Sequence, residues 1–290
     1  MRILVTGGSG MLGSELLRQI SGEGHVGVSL DRVGFLASDK IQRQSMLDGF
    51  DVVIHAAANT NVEQCEIEPE VCYFDNVFLT EKLFNHSQIN KNRFVYISST
   101  GVYGRGSSVP YHEYDVPQPT TVHHHSKLLS EKVVLASPNS LVIRTGWLFG
   151  GALSNTKNFI NNRINEIRVA TEFISANYMQ VGSPTYVGDC ARRILELISA
   201  DSAGIYNVVN EGAASRFEYV KRIVELSGAA IEVRPIDASA FNRRADVSEN
   251  EAAVSYRTKF DGLSPLRPWQ DALDDYMSQF GLRSCLSQRT

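Results

Sequence analysis

Short apolar runs alternate with amphipathic stretches through the first half of the chain. Segments 2–6, 26–30, 51–55 (DVVIH), 93–98 (RFVYIS) and 141–144 (LVIR) are continuously apolar or nearly so. That is the pattern of strands buried on both faces. Between them, 14–20 sets Leu16, Leu17 and Ile20 on one helical face, and 70–85 and 126–136 have helical spacing. Strand and helix in alternation predict an α/β protein with a parallel, doubly wound sheet. The second half is less regular. Helices are expected over 159–167, 186–198, 216–226 and from Trp269 to about Phe280, with a strand over 204–209. The stretch 263–268 carries two prolines and is expected to be loop. We expect this half to form a smaller lobe over the C-terminal edge of the sheet. The expected division is 1–150 with 170–200 for the sheet domain, and 151–169 with 201–290 for the lobe.

The first strand runs into Gly7-Gly8-Ser9-Gly10-Met11-Leu12-Gly13 and then a helix. Gly7, Gly10 and Gly13 form G-x-x-G-x-x-G, and Gly8, Gly10 and Gly13 also satisfy G-x-G-x-x-G. Glycine here permits a tight turn, close backbone approach to a pyrophosphate, and close helix–strand packing. The N–H groups at the start of the helix, from Met11 and Leu12 onward, then face the phosphates. This is a Rossmann fingerprint, which also expects an acidic residue about 20 positions on. Asp31 stands 18 residues after Gly13, at the end of the second strand. Its carboxylate suits the adenosine ribose hydroxyls, while the adjacent Arg32 suits a 2′-phosphate. NAD(H) and NADP(H) are both open as cofactors.

Composition narrows the class. Of 290 residues, 28 are Lys or Arg and 32 are Asp or Glu, for a net charge of −4. With 43% hydrophobic and 21% charged residues, the chain is neither disordered, fibrous nor a coiled coil. Its mild acidity argues against a nucleic-acid partner. No apolar run approaches the roughly 18 residues that cross a bilayer, and the N-terminus is not a signal peptide. The cysteines Cys65, Cys72, Cys190 and Cys285 have no C-x-x-C spacing and are expected to be buried or incidental thiols. A reduced, cytoplasmic protein is the expectation.

Six segments together resemble a known family. They are GGSGMLG, HAAANTNVE, ISSTGVYG, the Ser126-Lys127 pair, RTGWLFG and VGSPTYVGD. They look like an extended short-chain dehydrogenase/reductase, and are most similar to the dTDP-4-dehydrorhamnose reductase family from Met1 to about Met277. The resemblance implies a nicotinamide cofactor and a sugar-nucleotide substrate whose C4 ketone is reduced. It also implies a Tyr that protonates the developing alkoxide, a Lys four residues later, and a Ser or Thr that hydrogen-bonds the carbonyl. By position the hydroxyl is Ser99 and the lysine is Lys127, which also holds the cofactor. Ala56, Ala57 and Ala58 would let the cofactor approach, and Asn76 would steady the lysine. Thr60, Val62, Ser99 and Trp147 would lie beside the substrate, although a capping Thr, a core Val and a packing Trp explain three of them equally well. Ser183, Pro184 and Thr185 are expected to shape the junction between lobes. Arg243 and Arg244 suit a diphosphate or a solvated surface pair. A related dehydratase would carry acidic residues where Thr100 and Gly101 stand.

The tyrosine position is His123, in Val122-His123-His124-His125-Ser126-Lys127. Three roles are open. His123 itself donates the proton, one helical turn before Lys127, whose charge opposes the imidazolium. Alternatively another group supplies it, such as Tyr103, Tyr111, Tyr114, His124 or His125. Or the hydride chemistry is lost and the chain is a silent NAD(P)-binding subunit; the regulatory subunit of methionine adenosyltransferase resembles the same family. An epimerase is weakened by the same change, because epimerases of this group also use the tyrosine. Successive helical residues point about 100° apart, so the three histidines cannot share one ion. No metal is expected, and His124 and His125 read as a partly exposed helix start. A homodimer or a protein partner is left open.

Overall fold

The computed structural model describes residues 1–237 and 243–283. Cys285 and the last residues of the expected lobe lie outside the described residues. Twelve strands run in chain order among the described residues. They are β1 (Arg2–Thr6), β2 (Val26–Leu30), β3 (Val52–His55), β4 (Arg93–Ser99), β5 (Leu141–Thr145), β6 (Leu148–Phe149), β7 (Phe173–Asn177), β8 (Val181–Gly182), β9 (Thr185–Tyr186), β10 (Gly204–Asn207), β11 (Ala214–Ser215) and β12 (Glu232–Ile236). Six form a parallel sheet in the order β10-β5-β4-β3-β1-β2. This is the doubly wound arrangement the alternation predicts. The 204–209 strand is shorter than expected, and as β10 it extends the main sheet beside β5.

Both sheet faces are covered. On one, Ile3, Val5, Ile54, Val95 and Ile143 meet Leu16 and Ile20 of the Met11–Gly22 helix and Ile194 of the Val187–Ser199 helix. On the other, Leu4, Val53, Phe94 and Val142 meet Leu83 and Phe84 of the Leu79–Ile89 helix and Val134 of the Val122–Val134 helix. β2 departs from the expected double burial. It is the sheet edge, and Val26 and Val28 are exposed.

The stretch read as one helix over 70–85 is three pieces. Pro69–Tyr73 and Leu79–Ile89 are α-helical, and the turn between them, Phe74–Phe78, is π-helical. The π turn lies inside a run of helical residues and no residue type marks it. Asn76, at its centre, is buried. The 126–136 helix starts four residues earlier, at Val122, because Thr121 caps it by accepting from the His124 N–H at 3.2 Å. That helix is pinned to the sheet by a buried ion pair. Arg144 on β5 donates from Nε and Nη2 to Glu131 at 3.0 and 2.7 Å, and Ser98 on β4 donates to the same carboxylate.

A second apolar cluster packs the Phe159–Val169, Arg216–Ser227 and Trp269–Gln279 helices around Phe149, Tyr219, Leu273 and Tyr276. β7 pairs with β12, and β8 with β11. β6 pairs with β9, setting Thr185 against Leu148.

Candidate active site

The glycine turn is built for close approach. Gly7 has φ +71°, and a Cβ there would stand 2.8 Å from the Ala57 nitrogen. A Cβ on Gly13 would stand 2.1 Å from the Gly7 carbonyl oxygen, so this glycine is needed for helix–strand packing. Gly10 differs: the one neighbour of its Cβ would be that same oxygen, at 3.2 Å. Gly10 begins the Met11–Gly22 helix with no side-chain cap, and the first turn holds no acidic residue. The N–H groups of that turn are therefore available to an anion. Half-buried Ala56, Ala57 and Ala58 follow β3 beside it. An uncapped helix start, a glycine open on its outer side and three small residues fit a dinucleotide. Gly10→Glu is expected to fold and to weaken NAD(P)H binding at least tenfold, measured by cofactor fluorescence. Unchanged affinity would remove the turn from the cofactor site.

Asp31 and Arg32 are both engaged. An Asp31 oxygen accepts from the Gly34 N–H at 2.7 Å and caps the Arg32–Ala37 helix, and Arg32 pairs with Asp75 at 2.6 Å. One Asp31 oxygen stays available to a ribose hydroxyl, whereas Arg32 must leave Asp75 to reach a 2′-phosphate. Beneath the turn, Thr6 Oγ1 meets His55 Nδ1 at 2.6 Å, and His55 Nε2 meets Thr80 Oγ1 at 2.9 Å. Burial, aided by Lys127, pushes the His55 pKa down to about 3, so this ring is a neutral structural bridge.

The Val122–Lys127 segment converges on Asn76. Its side-chain nitrogen lies 2.9 Å from Ser126 Oγ, 3.1 Å from the Asn59 carbonyl, 3.4 Å from Cys72 Sγ and 3.5 Å from His123 Nδ1. Its oxygen accepts from the Asn59 N–H at 2.7 Å. Lys127 Nζ donates to the Ile97 carbonyl on β4 at 2.6 Å and sits 4.3 Å from the Tyr96 ring centroid. Burial pushes the Lys127 pKa down to about 7, with Glu131 pulling the other way. Ser99, half-buried at the end of β4, accepts from the Gly101 N–H at 3.1 Å. His123 is buried, and burial, then His124 and Lys127, holds its pKa well below the usual value.

His124 is not a partly exposed helix residue. It is buried, with Nδ1 3.0 Å from Thr121 Oγ1, and its ring occupies the space a Cβ on Gly101 would need. His125 is exposed. The alternative tyrosines are committed elsewhere. Tyr103 donates to Asn207 at 2.8 Å, Tyr111 donates to the Gly104 carbonyl at 3.2 Å, and Tyr114 is on the surface.

On the lobe side, Trp147 has φ +45°, a strained conformation for a bulky residue. Its indole N–H donates to buried Glu251 at 2.9 Å, and the Arg216 guanidinium lies 3.4 Å over its ring. Burial lowers the Arg216 pKa to about 10, and its guanidinium has no hydrogen-bonded carboxylate among the described residues. Thr60 accepts from Lys157 at 2.8 Å across the gap between lobes. Val62 opens the Val62–Ile67 helix and is half-buried. Arg243 and Arg244 line a separate cavity of about 320 Å³ with Gln180 and Glu249.

The profile of the RmlD substrate binding domain matches residues 1–282. The chain belongs to this family. A dTDP-4-dehydrorhamnose reductase of Mycobacterium tuberculosis is 32% identical, over 94% of this chain and 91% of that protein. A solved dTDP-4-dehydrorhamnose reductase of Clostridium acetobutylicum superposes with a TM-score of 0.91 at 26% identity, over 97% of this chain and all of that one. The enzyme of the same name from Bacillus anthracis, solved in complex with NADP, gives 0.89 at 27% identity, over 96% and 99%.

Within this RmlD-family frame, Ser99, His123, Lys127 and Asn76 share the region between β4, the Val122–Val134 helix and the π turn. Sequence reasoning missed Arg216, Glu251 and Lys157, which come from loops and helix starts far apart in the chain. It also missed that Cys65 and Cys72 lie beside His123. An unusual run such as Val122–Ser126 marks where to look but not what packs against it.

Proposed function

We propose that the chain is an NAD(P)H-dependent reductase of a nucleotide-linked 4-keto-6-deoxyhexose. One observation carries it: Lys127 and His123 are one helical turn apart and both buried, Lys127 bonded to Ile97 on the strand that ends in Ser99 and His123 beside Asn76. The names of the similar reductases and the solved NADP complex support the cofactor and substrate class. Bound, the nicotinamide dinucleotide supplies the hydride. The Gly7–Gly13 turn would hold its pyrophosphate, and Lys127 would hold the ribose. Ser99 donates a hydrogen bond to the ketone oxygen, and His123 delivers the proton as charge develops there. Arg216, stacked on Trp147, offers its charge to a substrate phosphate, with Lys157 and Thr60 at the sugar.

A silent subunit would be expected to lose more than one group. Here a single phenol is replaced, while Ser99, Lys127 and Asn76 are all present. No described helix is long and apolar enough to cross a membrane. The free buried thiols Cys65, Cys72 and Cys190 suit a reducing compartment, and the cytoplasm is the proposed location. The test is NADPH and NADH oxidation by the purified protein with a panel of nucleotide-linked hexoses. Oxidation with the 4-keto-6-deoxy members and not with the parent hexoses is expected. Cofactor binding without oxidation for any member would overturn the assignment.

A further inference from the structure

Three adjacent histidines cannot share an ion, but the fold gathers ligands from three separate segments. Cys65 on the Val62–Ile67 helix, Cys72 on the Pro69–Tyr73 helix and His123 bring their two sulfurs and a ring nitrogen within 4.8 Å of one another. All three side chains are buried, and both thiols are free. We propose that Cys65, Cys72 and His123 are the protein ligands of a zinc ion.

Two thiolates and an imidazole select zinc over magnesium or calcium, which prefer oxygen. Tetrahedral zinc, with bonds of about 2.3 Å to sulfur and 2.0–2.1 Å to nitrogen, sets two sulfurs and a nitrogen about 3.5–3.8 Å apart. The cluster therefore needs to contract by at most about 1.3 Å. Cys72 sits on the short helix that leads directly into the Phe74–Phe78 π turn, and Cys65 on the short helix before it. Asn76, on that turn, has its amide nitrogen 3.4 Å from Cys72 Sγ, placed to donate to a thiolate and orient it.

Three protein ligands leave a fourth position for water or a substrate oxygen, the pattern of catalytic rather than structural zinc. A metal on one imidazole nitrogen also leaves the other as an N–H donor. That consequence rests on the reductase reading; the site itself does not.

The test is a Co²⁺ titration of the metal-stripped, reduced full chain, followed by absorption. One equivalent is expected to give a near-ultraviolet thiolate-to-cobalt band and the visible bands of tetrahedral cobalt, and Zn²⁺ should bleach both. Cys65→Ala and Cys72→Ala should each weaken binding at least tenfold, with circular dichroism confirming the fold. Cys190→Ala and Cys285→Ala should bind as wild type does, and His123→Asn should keep the thiolate band while shifting the visible ones. No thiolate band in the wild type, or undiminished cobalt affinity in both Cys65→Ala and Cys72→Ala, overturns the proposal. Neither readout requires turnover, so a failed metal site and a failed reductase assignment are told apart.

Discussion

Replacing Lys127 by methionine is expected to cut turnover by about 100-fold or more while making the fold more stable at pH 7. The side chain is fully enclosed, and burial brings its pKa from 10.5 to about 7. Between those values the unfolded chain holds a proton that the folded chain has released. Stability therefore rises with pH across that window, is complete above 10.5, and is lost as pH falls towards 7. Methionine conserves volume and removes the titration. The expected gain at pH 7 is on the order of 1–3 kcal/mol, after subtracting the lost hydrogen bond to Ile97, and it shrinks towards pH 10. Urea unfolding of both proteins at pH 7 and pH 9.5, beside steady-state rates, measures the two effects. A variant that is less stable at pH 7 would mean that Lys127 is held as a well-paired cation. Retained turnover would remove it from the catalytic machinery.

His123→Tyr is expected to raise the rate at pH 8, in protein freed of metal by a chelator. Burial, His124 and Lys127 all disfavour the imidazolium, so its pKa lies below 6.5. The proton it would donate is present only below that pKa. Wild-type kcat should therefore climb as pH falls from 8 to 6, without levelling off near neutrality. A phenol keeps its proton throughout this range. The variant should show a flat profile and a rate at pH 8 about 10- to 100-fold higher, within the usual reach of general acid catalysis. Equal rates and parallel profiles would place the proton donor elsewhere.

The glycine turn was legible because backbone geometry admits only one residue type. Gly7 needs a positive φ, and Gly13 has another residue's carbonyl where its Cβ would go. The alternation of strands and helices was legible for the same local reason. Strand order was not: β2 lies at the sheet edge because β1 pairs with β3 on its other side, and nothing in VGVSL encodes that. The π turn around Asn76 was hidden because it lies inside a run of helical residues and no residue type marks it. His124 read as exposed, yet it fills the space left by the missing side chain of Gly101, 23 residues earlier in the chain. Asp31 kept its expected position but also caps a helix, a role that spacing alone does not separate from ribose binding. The companions of His123, namely Cys65, Cys72 and Asn76, come from segments whose meeting depends on the π turn and the Val122–Val134 helix.

Reduction at C4 with His123 at the proton position is the central claim. Its most direct test uses NADPH carrying deuterium at both nicotinamide C4 positions and a 4-keto-6-deoxyhexose nucleotide, with the sugar product followed by mass spectrometry and NMR. The account predicts one deuterium, carried on C4 of the sugar and lost from the cofactor in equal amount. Cofactor that keeps its label while the sugar is recovered unchanged or epimerised would contradict it.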